Sequence, residues 1–283
     1  MTGVAPSTVG LLHPGQMGTA VATQLRSRGH TVLWCSLGRG EHSRHRAEQA
    51  GLREVSALPE LLDRCEVVLS VCPPAAALDV ARSVAEIGYG GVYVDANAIA
   101  PETMATLSEV LTDTGITVVD GAIIGPPPDA SHTARLYLAG ETEHTGLIAG
   151  LLGESSLEPV ELSEIVGRAS ALKMAFASFQ KASRVLAAVA HSLADEHDVT
   201  DALLGEANRM SGRILSQRDY LPSVAARAWR WGPEMQEIAR TLDSAGLPTD
   251  LADAASAVLA RWDADRDLAE LPTGAVLAQL RTP

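Results

Sequence analysis

From Thr8 to about residue 162, short apolar runs alternate with amphipathic segments. The apolar runs read as buried strands at Thr8 to Leu12, Thr31 to Cys35, Glu66 to Cys72, Val92 to Asp95, Thr117 to Asp120, Arg135 to Ala139 and Leu157 to Leu162. Helical periodicity fills most of the gaps, most clearly over Gly15 to Arg28 and Ala75 to Ile87. Alternation of this kind implies a mostly parallel, doubly wound sheet covered on both faces. Beyond Leu162 the strand signals stop, and Ala, Leu and charged residues recur at helical spacing. Breaks are expected at Tyr220 to Pro222, Gly232 to Pro233 and Gly246 to Pro248. The reading is an α/β domain over 1–163 and an all-α domain over 164–283. Between Ile165 and Asp195 nothing interrupts the helical pattern, which gives a helix of roughly 45 Å. So long a helix calls for a partner surface.

Composition narrows the function classes. A formal net charge of −13 disfavours nucleic-acid backbones and anionic bilayers unless a basic patch compensates. The nearest candidate, Arg39 to Arg46 with three arginines and two histidines, suits a single phosphate better. No apolar run approaches the ~20 residues of a membrane span, and the first residues lack the pattern of a signal peptide. A cytoplasmic protein without nucleic-acid or membrane partners is expected. Cys35, Cys65 and Cys72 show no metal-ligand spacing, so reduced thiols and no metal are expected.

The loop after the first strand carries the clearest chemistry. Thr8-Val9-Gly10-Leu11-Leu12 runs into His13-Pro14-Gly15-Gln16-Met17-Gly18 and then into a helical pattern. In the dinucleotide fingerprint G-x-G-x-x-G, the second glycine admits the pyrophosphate to the backbone and the third lets helix pack on strand. Gly15 and Gly18 take those places, while His13 stands where the first glycine belongs. Free amides and the helix dipole favour an anion there. At the end of the second strand an acid would select NAD by binding the ribose 2′-hydroxyl. The chain instead reads Trp34-Cys35-Ser36-Leu37-Gly38-Arg39. Ser36 and Arg39, with Arg44 or Arg46 in reserve, suit the 2′-phosphate of NADP.

Four segments resemble the beta-hydroxyacid dehydrogenase superfamily, which includes 3-hydroxyisobutyrate and 6-phosphogluconate dehydrogenases and the related imine reductases. They are Gly10 to Gly18, Ser70-Val71-Cys72-Pro73-Pro74, Val94-Asp95-Ala96-Asn97 through Pro101, and Gly167 through Lys173. The resemblance implies a Rossmann domain followed by a 6-phosphogluconate dehydrogenase C-terminal-like helical domain. It also implies a homodimer built on the long helix. Cys72 and Pro73 would border the cofactor ribose, and Met17 and Asn97 would approach the nicotinamide.

Of 22 basic residues only Lys173 and Lys181 are lysine. Lysine, unlike arginine, can be desolvated into passing a proton. Phe176 shares a helical face with Lys173 and would assist, and Lys173 matches the catalytic lysine of the superfamily. Lys181 reads as a surface lysine with its stem laid along the helix.

Two departures from the family bear on the substrate. Ala177 replaces the asparagine four residues after the lysine, and Ile124 replaces the serine that holds a substrate carboxylate. Gln180 stands where the 6-phosphogluconate branch has glutamate, which argues against a phosphorylated sugar acid. With Ile123, Ile124, Phe176 and either Trp229 or Trp231 as candidate substrate residues, a less polar substrate than a simple hydroxyacid is expected. Glu234 and Glu237 read as first-turn surface acids after Pro233, with a substrate-facing role from a second subunit as the alternative, and His191 and His197 read as solvated helix-end residues. The leading expectation is an NADP-dependent carbonyl or alcohol oxidoreductase with Lys173 as proton donor and acceptor. An NADPH-dependent imine reductase and a non-catalytic NADP-binding sensor are the alternatives.

Overall fold

The computed structural model describes residues 5–196, 198–210, 217–244 and 249–281. The chain divides into two compact units, Met1–Lys173 and Met174–Pro283. The first is built on strands β1 (Thr8–Leu11), β2 (Thr31–Cys35), β3 (Arg53–Val55), β4 (Val67–Ser70), β5 (Val92–Asp95), β6 (Thr117–Ile124), β7 (Ala134–Ala139) and β8 (Leu157–Ser163). Their order in one sheet is β3-β2-β1-β4-β5-β6-β7-β8. All neighbours pair in parallel except β6 and β7, which are antiparallel. Helices α1 (Gln16–Ser27), α2 (Glu41–Gln49), α3 (Leu58–Asp63), α4 (Ala77–Ile87), α5 (Pro101–Thr112) and α6 (Thr142–Leu152) connect them. One apolar layer joins Val9, Leu11, Val21, Leu25, Val67, Leu69, Ile148 and Leu151. The opposite layer joins Leu61, Val68, Val84, Tyr93, Met104, Leu107 and Leu111. Strands buried on both faces explain the uninterrupted apolar runs of the sequence.

The sequence boundaries need correction at five strands, two of them by one added residue, at Ala134 of β7 and Ser163 of β8. The strand read to Leu12 stops at Leu11, and that read over Glu66 to Cys72 shrinks to Val67–Ser70. The one read to Asp120 continues through Gly121 and Ala122 to Ile124, because small residues fit where a side chain on Gly121 would press on the Asp95 carbonyl at 3.0 Å. β3 escaped notice because Arg53-Glu54-Val55 offers one buried side chain in three.

The long helix α7 (Arg168–Glu196) carries the chain into the helical unit. There α8 (Thr200–Ala207), α9 (Leu221–Ala225), α10 (Ala228–Ser244), α11 (Asp250–Leu259) and α12 (Thr273–Gln279) follow. Trp262 is fully buried among them and donates from Nε1 to the Val276 carbonyl at 2.9 Å.

Gly232 and Pro233 do not break the chain here. Pro233 lies inside α10, where its missing N–H affects only the first turn's carbonyls, and burial of Met235 and Ile238 holds the helix. Glu234 and Glu237 therefore sit within the helix, and neither is a surface group. Glu237 is buried and pairs with Arg240, while Glu234 pairs with Lys181. Lys181 is correspondingly only 4% exposed, and its ammonium lies 5.8 Å from the Trp231 ring centroid. The expectation of a surface lysine fails because an apolar helix face and a carboxylate 53 residues on, at Glu234, enclose it. His191, inside α7, is fully buried rather than solvated. His197 and the expected break at Gly246 to Pro248 lie outside the described residues.

Candidate functional site

The sheet reverses its winding between β1 and β4, since β2 and β3 lie on one side of β1 and β4 on the other. At such a switch point the loops leaving the carboxyl ends of the strands open a crevice. Here those loops are Leu12 to Gly15 and Val71 to Pro73. Gly15 caps α1 in extended geometry with no side-chain cap, and no acidic residue occupies the first turn. The first amides of the helix thus lack intrahelical partners and face no local carboxylate. Gly18 is required by contact, because a Cβ there would meet the His13 carbonyl oxygen at 2.3 Å. Among the residues expected to line the turn, Pro14 is buried, Gln16 is exposed, and His13, Gly15 and Met17 are partly buried.

Two arginines, Arg39 and Arg46, converge on this turn, and Arg44 ties the end of β2 to β3. Arg39 donates to the Leu12 carbonyl at 2.8 Å and approaches His13 Nδ1 at 3.1 Å. Arg46 donates to the Pro14 carbonyl at 3.0 Å, and Arg44 links the Ser36 carbonyl at 3.2 Å to Glu54 at 3.0 Å. Burial first, and then the Arg39 and Arg46 charges, lower the His13 pKa to about 4. His13 is therefore neutral at pH 7, and the positive charge at the turn is arginine charge. Ser36 itself is buried.

Across the crevice, the ends of β4 and β5 are joined through Asn97, which the resemblance placed toward the nicotinamide, and through Ser70 and Asp95, which the sequence had left without a role. The Cys72 amide donates to Asn97 Oδ1 at 2.6 Å, and Asn97 Nδ2 donates to Ser70 Oγ at 3.0 Å and Asp95 Oδ2 at 2.7 Å. The Asn97 amide thus holds the Cys72-Pro73 turn. Burial pushes the Cys72 thiol up to about 11, which makes it an inert wall rather than a nucleophile. Asp95 is fully buried, and desolvation raises its pKa to about 7, aided by Asp120 on the next strand. Asp95 and Asp120 are register partners. Two apolar runs, Val92-Tyr93-Val94 and Thr117-Val118-Val119, each followed by aspartate, were the available signal.

Asp120 reaches the start of α7. It accepts hydrogen bonds from the amides of Gly167, Ala169 and Ser170 at 2.8, 2.9 and 3.1 Å and from Ser170 Oγ at 2.7 Å. Burial raises its pKa, and these four donors oppose the rise. Gly167 adopts φ +95, a left-handed conformation that favours glycine. One turn later Lys173 donates from Nζ to the Ile123 carbonyl at 2.6 Å. Lys173 thereby stands at the same edge of the sheet as the α1 turn, beside the partly buried Ile124. The other expected substrate residues belong to the helical unit. Phe176 is 43% exposed, Gln180 is exposed, and Trp231 is buried beneath Lys181 and Arg227. Among the described residues, no cluster of three or more His, Cys, Asp or Glu could hold a metal, and no helix is long and apolar enough to cross a membrane.

This arrangement has relatives. Residues 8–157 match the family model described as the NAD binding domain of 6-phosphogluconate dehydrogenase, which is more than half of the chain. The chain belongs to the beta-hydroxyacid dehydrogenase superfamily. A second model, described as a domain of unknown function (DUF1932), matches residues 194–262. An uncharacterized 28.5 kDa protein of Methanothermus fervidus is 25% identical over 197 residues, covering 69% of this chain and 74% of its own. Among solved structures of the superfamily's fold, the 3-hydroxyisobutyrate dehydrogenase of Mycobacterium tuberculosis aligns with a TM-score of 0.77, with 17% identity over 98% of this chain and 100% of that one. An imine reductase of Streptomyces aurantiacus aligns at 0.62, with 18% identity over 97% and 100%. The superfamily consists of NAD(P)-dependent oxidoreductases, and this chain carries its nicotinamide-dinucleotide-binding domain.

Proposed function

We propose that the enzyme uses NADP and interconverts a small, largely apolar carbonyl compound and its alcohol, with Lys173 as the proton donor and acceptor. The observation that carries this reading is the Lys173 ammonium held by the Ile123 carbonyl at 2.6 Å, at the sheet edge where α1 offers an anion-binding turn. The bound dinucleotide supplies or accepts the hydride at its nicotinamide. The residues of the chain do the rest. The α1 amides and Gly15 receive the pyrophosphate, and Arg39, with Arg44 and Arg46 beside it, neutralises the 2′-phosphate. The Asn97 clamp fixes the Cys72-Pro73 turn. Lys173 hydrogen-bonds the substrate oxygen and gives its proton as the alkoxide forms. Ile124, at the family's carboxylate-binding serine position, favours an apolar flank on the substrate.

A protonated lysine opposes an iminium substrate, so a carbonyl is preferred to an imine. NADPH oxidation followed with 2- and 3-keto acids, aldehydes, ketones and cyclic imines tests the reading; turnover confined to imines overturns it, and so does no turnover with any of them. Cofactor choice has its own test. In a fluorescence titration Arg39→Ala should weaken NADPH binding roughly tenfold or more beyond any loss for NADH, the worth of a charge-assisted hydrogen bond. Equal losses for both cofactors would remove Arg39 from the 2′-phosphate.

The same reading places the enzyme in the cytoplasm, where its free thiols Cys35, Cys65 and Cys72 stay reduced. It also makes the active species a homodimer formed through α7. Phe179 is 72% exposed on that helix, an apolar exposure that a second copy would cover. Light scattering on a sizing column should return twice the chain mass, and Phe179→Glu should shift it toward the monomer.

A further inference from the structure

We propose that Asp120 is a positioning residue for Lys173, holding the first turn of α7 in register with β6 so that the amine meets the Ile123 carbonyl. The inference rests on Lys173 being the proton donor. Asp120 and Ile123 lie on the same strand, and Ser170 and Lys173 on the same helix. Two ties therefore join the pair of elements in parallel, each advancing three residues. The first is the carboxylate of Asp120, which gathers three backbone amides and the Ser170 hydroxyl. The second is the Lys173 ammonium on Ile123. The first four amides of any helix lack intrahelical acceptors and need outside ones. For α7 the Asp120 side chain meets three of the donors at its start and comes from the strand that also supplies the carbonyl for the lysine. A helix free to slide or rotate at this end would carry Lys173 away from that carbonyl.

Asp120 can do this because it is rigid. It is fully buried, its oxygens are saturated by donors, and it continues a strand paired on both sides. Gly167 supplies the turn that presents its own amide to the carboxylate. A displacement of the reacting group by about 1 Å can cost about 10²-fold in rate, so an anchor of this kind acts on turnover without touching substrate.

Differential labelling tests the anchor without a substrate. The chain has two lysines, and Lys181, buried against Glu234, serves as the internal standard. Acetic anhydride labelling read by mass spectrometry should modify Lys173 several-fold faster, relative to Lys181, in Asp120→Ala than in the parent protein. Asp120→Asn keeps an acceptor for the three amides and should restore the parent ratio. Should Asp120→Ala fail to fold, Ser170→Ala removes only the hydroxyl donor and should move the ratio the same way by a smaller factor. A ratio unchanged in the folded variant overturns the proposal. Kinetics then tests the link to chemistry, with kcat expected to fall about 10²-fold in Asp120→Ala and KM for NADPH to hold. A changed ratio with unchanged kcat would keep the anchor and reject Lys173 as proton donor, which separates the two failures.

Discussion

Replacing Lys173 by methionine should lower kcat for carbonyl reduction by about 10²–10⁴-fold, the range for removing a positioned general acid. Methionine matches the length of the side chain and deletes only the donor. NADPH affinity should stay within about twofold, because the amine bonds to the Ile123 carbonyl and the amides proposed to receive the phosphates belong to α1. A single-turnover measurement with saturating NADPH separates this loss from binding. Undiminished turnover in the variant would move the proton source elsewhere. Reductive chemistry on an imine, in contrast, should survive the substitution or improve, because the ammonium no longer repels the iminium.

The second large effect is on stability. Asp95 binds its proton more tightly in the folded chain, with a pKa of about 7 against an ordinary 3.8, chiefly because burial penalises the charged form. Folded protein thus carries more protons than unfolded protein between those values. By linkage, the contribution is fully present below the unfolded value and is lost as pH rises through the folded one. The expected loss is up to about 4 kcal/mol. Urea unfolding at pH 5, 6, 7 and 8 should show the parent protein weakening relative to Asp95→Asn as pH rises, whichever of the two is more stable at pH 5. A gap that stays constant with pH would show that Asp95 is ionised throughout, with Asn97 donors offsetting its desolvation.

Much of the first unit was legible because a strand buried on both faces writes itself as an apolar run. Thr31–Cys35 and Val92–Asp95 coincide with the strands read from pattern. β3 was illegible because an edge strand with exposed Arg53 and Glu54 has no run to show. In the helical unit, polarity misled where burial depends on a distant partner. Lys181 and Glu234 enclose one another only after α7 and α10 pack, and local sequence contains no trace of that pairing. The turn after β1 was legible where close packing demands a residue type, as with Gly18 against the His13 carbonyl. The joint role of Asp95 and Asp120 stayed hidden because a single acid after an apolar run reads as a terminator, although only Asp95 ends its strand and β6 runs on from Asp120 to Ile124. Their equal register across β5 and β6 appears only once the sheet is assembled.

The two borders of the sheet share a property of a different kind. β3 is three residues long and presents two charged side chains, and β8 carries Pro159 between Glu158 and Glu161. Proline lacks the amide an incoming chain would need, and like charges brought side by side repel. Neither border can template further strands, so crowding at high concentration should not draw this protein into cross-β stacking through its native edges.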